Sequence, residues 1–96
     1  MKSYRQIGFE IGRLVEAKQV AYGDSFGNAH RILETLYPKG IAIEQMGDAL
    51  TITRIVDKLF RIANQKKAFD ESPYRDIAGY ALLAVKRDED DKLRVK

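Results

Sequence analysis

Only two prolines interrupt the 96 residues, Pro38 and Pro73, and each falls where one run of helical periodicity stops or the next begins. Between these breaks the apolar residues recur every three or four positions, and no segment alternates with the period of two that a strand requires. Ile7, Ile11, Leu14 and Val15 form one stripe over residues 3–22. Tyr22-Gly23-Asp24-Ser25 closes that helix: Gly23 is suited to a left-handed C-cap, and Asp24 or Ser25 can cap the next helix. A second helix follows to about Leu36, ended by the turn Tyr37-Pro38-Lys39-Gly40. A third begins at Ile43 and runs to about Ala63, with a seam of Ile52, Ile55, Val56, Leu59, Phe60 and Ala63 and a polar loop from Asn64. Ser72-Pro73 starts a fourth, with serine as N-cap and proline at the first helical position, ending near Val85 or Lys86. The expected fold is all-α, a small bundle of about four helices, with one domain over residues 1–87 and a polar C-terminal tail over 88–96.

The fourth segment is apolar on two sides. Ile77, Ala78, Ala81, Leu82 and Val85 make one face, while Tyr80, Leu83 and Ala84 add apolar surface beside Asp76 and Gly79. A helix of that kind is buried on more than one side, and so short a chain has little with which to surround it. The expectation is a homo-oligomer assembled through the C-terminal helix.

Composition removes several function classes. The absence of cysteine excludes disulfide frameworks, thiolate zinc sites and cysteine nucleophiles. The charged residues Lys2, Arg5, Glu10 and Arg13 interrupt any signal-peptide core, and no stretch approaches the roughly 20 apolar residues of a membrane span. A cytoplasmic protein with no membrane partner is expected. The net charge of +3 is too mild to announce a nucleic-acid binder.

His30 stands mid-helix with no serine or cysteine to serve and reads as a surface residue, and Gly23, Gly27 and Gly40 are too scattered to cradle a phosphate. Lys18 prolongs the apolar stripe of the first helix, where it must snorkel or meet a carboxylate. Arg54, Asp57, Lys58 and Arg61 set one acid among three cations on successive turns. Such a cluster serves either as intrahelical ion pairs or as an acid for a divalent metal flanked by cations for phosphate oxygens. Asp76 either complements the positive end of its helix, as Asp70 and Glu71 do just ahead of it, or is a carboxylate near an apolar face that needs a partner. Magnesium is held by one or two carboxylates together with substrate phosphates, and Asp57 and Asp76 on neighbouring antiparallel helices form a candidate pair.

Three strings together resemble a known family. They are Lys18-x-x-x-Tyr22-Gly23-Asp24-Ser25-Phe26, Arg54-x-x-Asp57-Lys58-x-x-Arg61-Ile62 and Glu71-x-x-x-x-Asp76-Ile77-Ala78-Gly79-Tyr80-Ala81. Spanning about two thirds of the chain, they resemble the nucleotide modification associated domain 1 family. Those are small, often phage-related helical proteins, distantly similar to the all-α, MazG-like nucleoside triphosphate pyrophosphohydrolases. The resemblance implies an oligomeric bundle, a nucleotide or nucleoside triphosphate as ligand, and magnesium on helix carboxylates. It assigns Lys18, Tyr22, Arg54, Lys58 and Arg61 to the nucleotide and Asp57, Asp76 and Glu71 to the metal. The pyrophosphohydrolases carry Glu-x-x-Glu and Glu-x-x-Asp ligand pairs. Here Arg54 replaces the partner of Asp57, and Pro73 replaces the partner of Asp76, leaving Glu10, Glu16, Asp24 or Glu71 to make up the set.

The expected function is therefore nucleotide binding, with a magnesium-dependent pyrophosphohydrolase activity that is present, reduced or lost, so the chain is not assigned as an enzyme or as a non-enzyme. One alternative is a helical oligomeric module for protein interaction or inhibition. A DNA-binding regulator comes third, from reading residues 43–54 as helix, turn and recognition helix with Gly47 in the turn.

Overall fold

Local hydrogen bonding explains where the first two helices start and stop. In the computed structural model, which describes residues 1–67 and 70–94, the helices are α1 (Tyr4–Tyr22), α2 (Ser25–Leu36), α3 (Met46–Gln65) and α4 (Pro73–Arg94), with a 3-10 turn at Ile43–Gln45 before α3. The architecture is a small all-α bundle, with no strand among the described residues.

Ser3 opens α1 through a capping box: the Gln6 N–H donates to the Ser3 hydroxyl at 3.2 Å, and the Gln6 side-chain oxygen accepts from the Ser3 N–H at 2.7 Å. At the other end Gly23 takes φ 57° and donates its N–H to Gln19 at 2.9 Å. Asp24 follows in the same left-handed region, which aspartate tolerates better than most residues. Its carboxylate accepts from the Gly27 N–H at 3.2 Å, capping α2, and from the Gln19 side chain at 2.8 Å, tying the two helices at their junction. The Tyr37–Gly40 turn forms as expected, with Gly40 at φ 92° donating to Tyr37.

The third helix differs from expectation at its start, where the chain makes the 3-10 turn before settling into α3. Gly47 lies inside α3 rather than in a turn, so residues 43–54 are not a helix-turn-helix. The fourth also differs: α4 continues to Arg94 instead of ending near Val85 or Lys86, and the polar residues 88–94 are helical and largely exposed. Residues 95 and 96 of that tail lie outside the described residues.

The central rod is α3, against which α1, α2 and α4 all pack. Its buried centre is thin: Val56 together with Ala21, Ala29 and Ala49, small residues that let the helices approach closely. Of the expected seam, Ile52, Ile55 and Phe60 are half-buried, whereas Leu59 and Ala63 are exposed. The molecule measures 55 × 32 × 29 Å with a radius of gyration of 17.0 Å, against about 12.5 Å for a compact chain of this length. Little of α1 is covered by the rest of the bundle. Residues 4–20 of that helix are exposed along its length, and only its C-terminal end docks on α3, through Ala21.

Candidate functional site

Residues three and four apart share a helix face, so Arg54, Asp57, Lys58 and Arg61 stand together on α3. That charged face is the one α4 covers. As numbers rise along α3 they fall along α4. Asp48 pairs with Arg87 at 2.5 Å, the Arg54 guanidinium lies 5.7 Å from the centre of the Tyr80 ring, Lys58 pairs with Asp76 at 3.4 Å, and Arg61 approaches Glu71 at 4.0 Å. This is the register of an antiparallel helix pair, with a polar ladder running along it.

Beside the ladder, where the docked end of α1 meets α3 and α4, lies a cleft of about 250 Å³ lined by Lys18, Gln19, Tyr22, Ser25, Arg54, Asp57, Lys58 and Tyr80. Three cations face one acid there. The Lys58 ammonium is 3.4 Å from the Tyr22 hydroxyl and 5.7 Å from its ring centre, and Lys18 lies 6.0 Å from the same ring. Tyrosine faces attract cations, so Tyr22 and Tyr80 hold Lys18, Lys58 and Arg54 about the cleft. Burial pulls the Lys58 pKa down, but the Tyr22 hydroxyl and the Asp76 carboxylate outweigh it, leaving that pKa above the ordinary lysine value. Lys58 is therefore a dependable cation. A second hollow of about 270 Å³, lined by Gly47, Leu50, Thr51, Arg54, Tyr80, Leu83 and Arg87, shares the Arg54–Tyr80 wall and extends the cleft into a furrow that becomes more apolar along α4.

Compared with protein-family models, with characterised proteins and with solved structures, the chain finds no match.

Of the residues assigned from sequence, Lys18, Tyr22, Arg54, Asp57 and Lys58 meet at the cleft. Arg61 does not line it. Its side chain is fully buried at the base of the α3–α4 connection and donates to the backbone carbonyls of Glu71 and Lys66. There it pins the connection to α3. Tyr80 lines both hollows and was not singled out as a site residue; the signal was its spacing, one turn after Asp76 on the same face.

The acids divide. Asp57 lines the cleft, whereas Asp76 and Glu71 line another hollow with Asp70, Ser72 and Arg75. Glu10 is paired with Lys2 at 3.0 Å, Asp24 caps α2, and Glu16 is exposed on α1. Among the described residues no group of three or more His, Cys, Asp or Glu side chains is placed to hold a metal. Asp57, Asp76 and Glu71 therefore do not form one ligand set, and Asp76 already faces an ammonium. No helix of the described residues is long and apolar enough to cross a membrane.

Proposed function

We propose that the chain binds a nucleotide in the furrow between α1, α3 and α4. The observation that carries this reading is the convergence of Lys18, Arg54 and Lys58 on one cleft with a single facing acid, Asp57. Phosphate oxygens are the common anionic group for which several converging cations are suited, the arginine as a planar fork and the lysines as point charges. The phosphates lie at the Lys18–Lys58 end, and the base lies toward Leu50, Tyr80 and Leu83, where the second hollow is the more apolar. The two hollows together approach the size of an ordinary small-molecule site.

The reading is one of binding. Asp57 lines the cleft and Asp76 pairs with Lys58 beside it, and magnesium enters with the nucleotide as its counter-ion.

Isothermal titration calorimetry with nucleoside mono-, di- and triphosphates, each with and without magnesium, tests the proposal. Inorganic triphosphate forms a parallel arm. Affinity rising with phosphate number, and higher for the nucleotide than for inorganic triphosphate, is the expected result. Equal affinity for the two polyphosphates means that the cleft reads phosphate alone, and no heat with any ligand ends the reading.

A further inference from the structure

We infer that Ser25 and the first turn of α2 hold a phosphate group of the nucleotide, with the Ser25 hydroxyl donating to a non-bridging oxygen. The inference rests on the nucleotide reading and deepens it, adding a neutral donor to the three cations of the cleft.

It starts from the corner between α1 and α2. Gly23 and Asp24 both take φ 57°, in the left-handed region, and the turn they make leaves Asp24 exposed and sets the next side chain inward. Ser25 is 7% exposed, whereas Phe26 beside it is 91% exposed. From that position Ser25 lines the cleft together with Lys18, Arg54 and Lys58.

Among the described residues the fold makes no use of the Ser25 hydroxyl. A serine at a helix start ordinarily serves as the cap, but here the cap is Asp24, whose carboxylate accepts from the Gly27 N–H and the Gln19 side chain. Gly27 leaves room for that carboxylate, which a Cβ there would overlap. Ser25 is instead the first helical residue, and its side chain has no hydrogen-bond partner among the described residues. A buried hydroxyl without a partner is a net cost to folding, one that alanine would avoid. An acceptor entering the cleft supplies the missing partner.

The backbone offers further donors at the same place. A helix leaves its first four N–H groups without acceptors. Asp24 takes that of Gly27, and those of Ser25 and Phe26 have no acceptor among the described residues. They lie at the positive end of a 12-residue helix, where anions are stabilised. A phosphate group presents several acceptor oxygens, enough to engage the hydroxyl and the cations together.

The test is calorimetric titration of inorganic triphosphate and of a nucleoside triphosphate into wild type and Ser25→Ala. The variant is expected to bind both about ten-fold more weakly, by the same factor, with a melting temperature no lower than that of wild type. Unchanged affinity in the variant, beside a wild type that binds the nucleotide, overturns this inference and leaves the nucleotide reading standing. A loss confined to the nucleoside triphosphate also overturns it, because the hydroxyl then meets the sugar or base. No binding by wild type overturns both. If wild type binds the two polyphosphates equally and the variant binds both more weakly, the nucleotide reading ends and the phosphate contact is upheld. A lowered melting temperature in Ser25→Ala shows the hydroxyl to be bonded within the fold and overturns the inference. Ser25→Cys, which nearly keeps the volume and offers only a weak donor, should lose the same factor, and full affinity there overturns it as well.

Discussion

The Lys58 ammonium on α3 lies 3.4 Å from Oδ2 of Asp76 on α4, with the lysine side chain 16% exposed and the aspartate 35%. Surface pairs of this kind contribute little, but here the cation is mostly withdrawn from water, and its other polar contact is the Tyr22 hydroxyl. Asp76→Ala is expected to destabilise the fold by about 1 kcal/mol. The check is a lowered urea midpoint with unchanged slope. A raised midpoint would show the carboxylate to be a net burden.

The same pair sets an alkaline limit. The folded-state pKa of Lys58 is raised, so its stabilising contribution is complete below the unfolded value, near pH 10.4, and is lost as pH climbs through the higher folded value. Wild type and Lys58→Met should differ by a constant amount from pH 7 to about 10 and converge above that. Thermal melts across the range measure the gap. A gap that widens with alkalinity contradicts the assignment.

Arg61 is a packing residue whose head group also satisfies backbone carbonyls at the α3–α4 connection. Arg61→Leu removes those donors from a fully buried position, and the loss should be about 3 kcal/mol. Denaturant titration reads it directly. If nucleotide affinity falls while stability does not, Arg61 belongs to the binding site and not to the packing.

At the α1–α2 corner, Gly23→Ala combines a left-handed backbone with a Cβ that would overlap the Asn64 side chain. A cost of about 2 kcal/mol is expected. Asp24→Ala, which loses the cap on Gly27, should cost about 1 kcal/mol.

Arg54 is exposed and lines both parts of the furrow, so its removal should separate binding from folding. Arg54→Gln is expected to weaken nucleotide binding about ten-fold, worth about 1.4 kcal/mol, with the melting temperature nearly unchanged. Titrations at two salt concentrations should show a weaker salt dependence in the variant, since one phosphate contact is gone.

Several helix ends were readable because each has a local chemical cause, namely Gly23, Asp24, the Pro38 turn and Ser72 before Pro73, whereas the start of α3 and the end of α4 were not. The α3–α4 interface was not. Helical periodicity sorts apolar from charged positions and sends the charged ones outward, whereas Asp48, Lys58 and Arg61 meet partners on or just ahead of α4, as Arg54 meets Tyr80. Those partners stand 39, 18 and 10 residues away for the three ion pairs, and no periodicity links them. For the candidate site the cations were legible as a cluster, but their separation into cleft residues and a buried pin depended on where α4 crosses. The stripe on α1 was legible as a face to be covered. A periodic pattern says that a face is apolar and is silent on what covers it.

The extra length of α4 has a thermodynamic consequence. Arg87 meets Asp48 near the start of α3, so the helical residues beyond it reach past the partner helix. They are held by short-range pairs, Lys86 with Asp90 and Lys92 with Glu89, each worth a few tenths of a kcal/mol. Amide protons from Asp88 to Arg94 should exchange with solvent orders of magnitude faster than those around Val56. This last segment can melt and re-form without disturbing the ladder, giving the protein two tiers of cooperativity within a single helix.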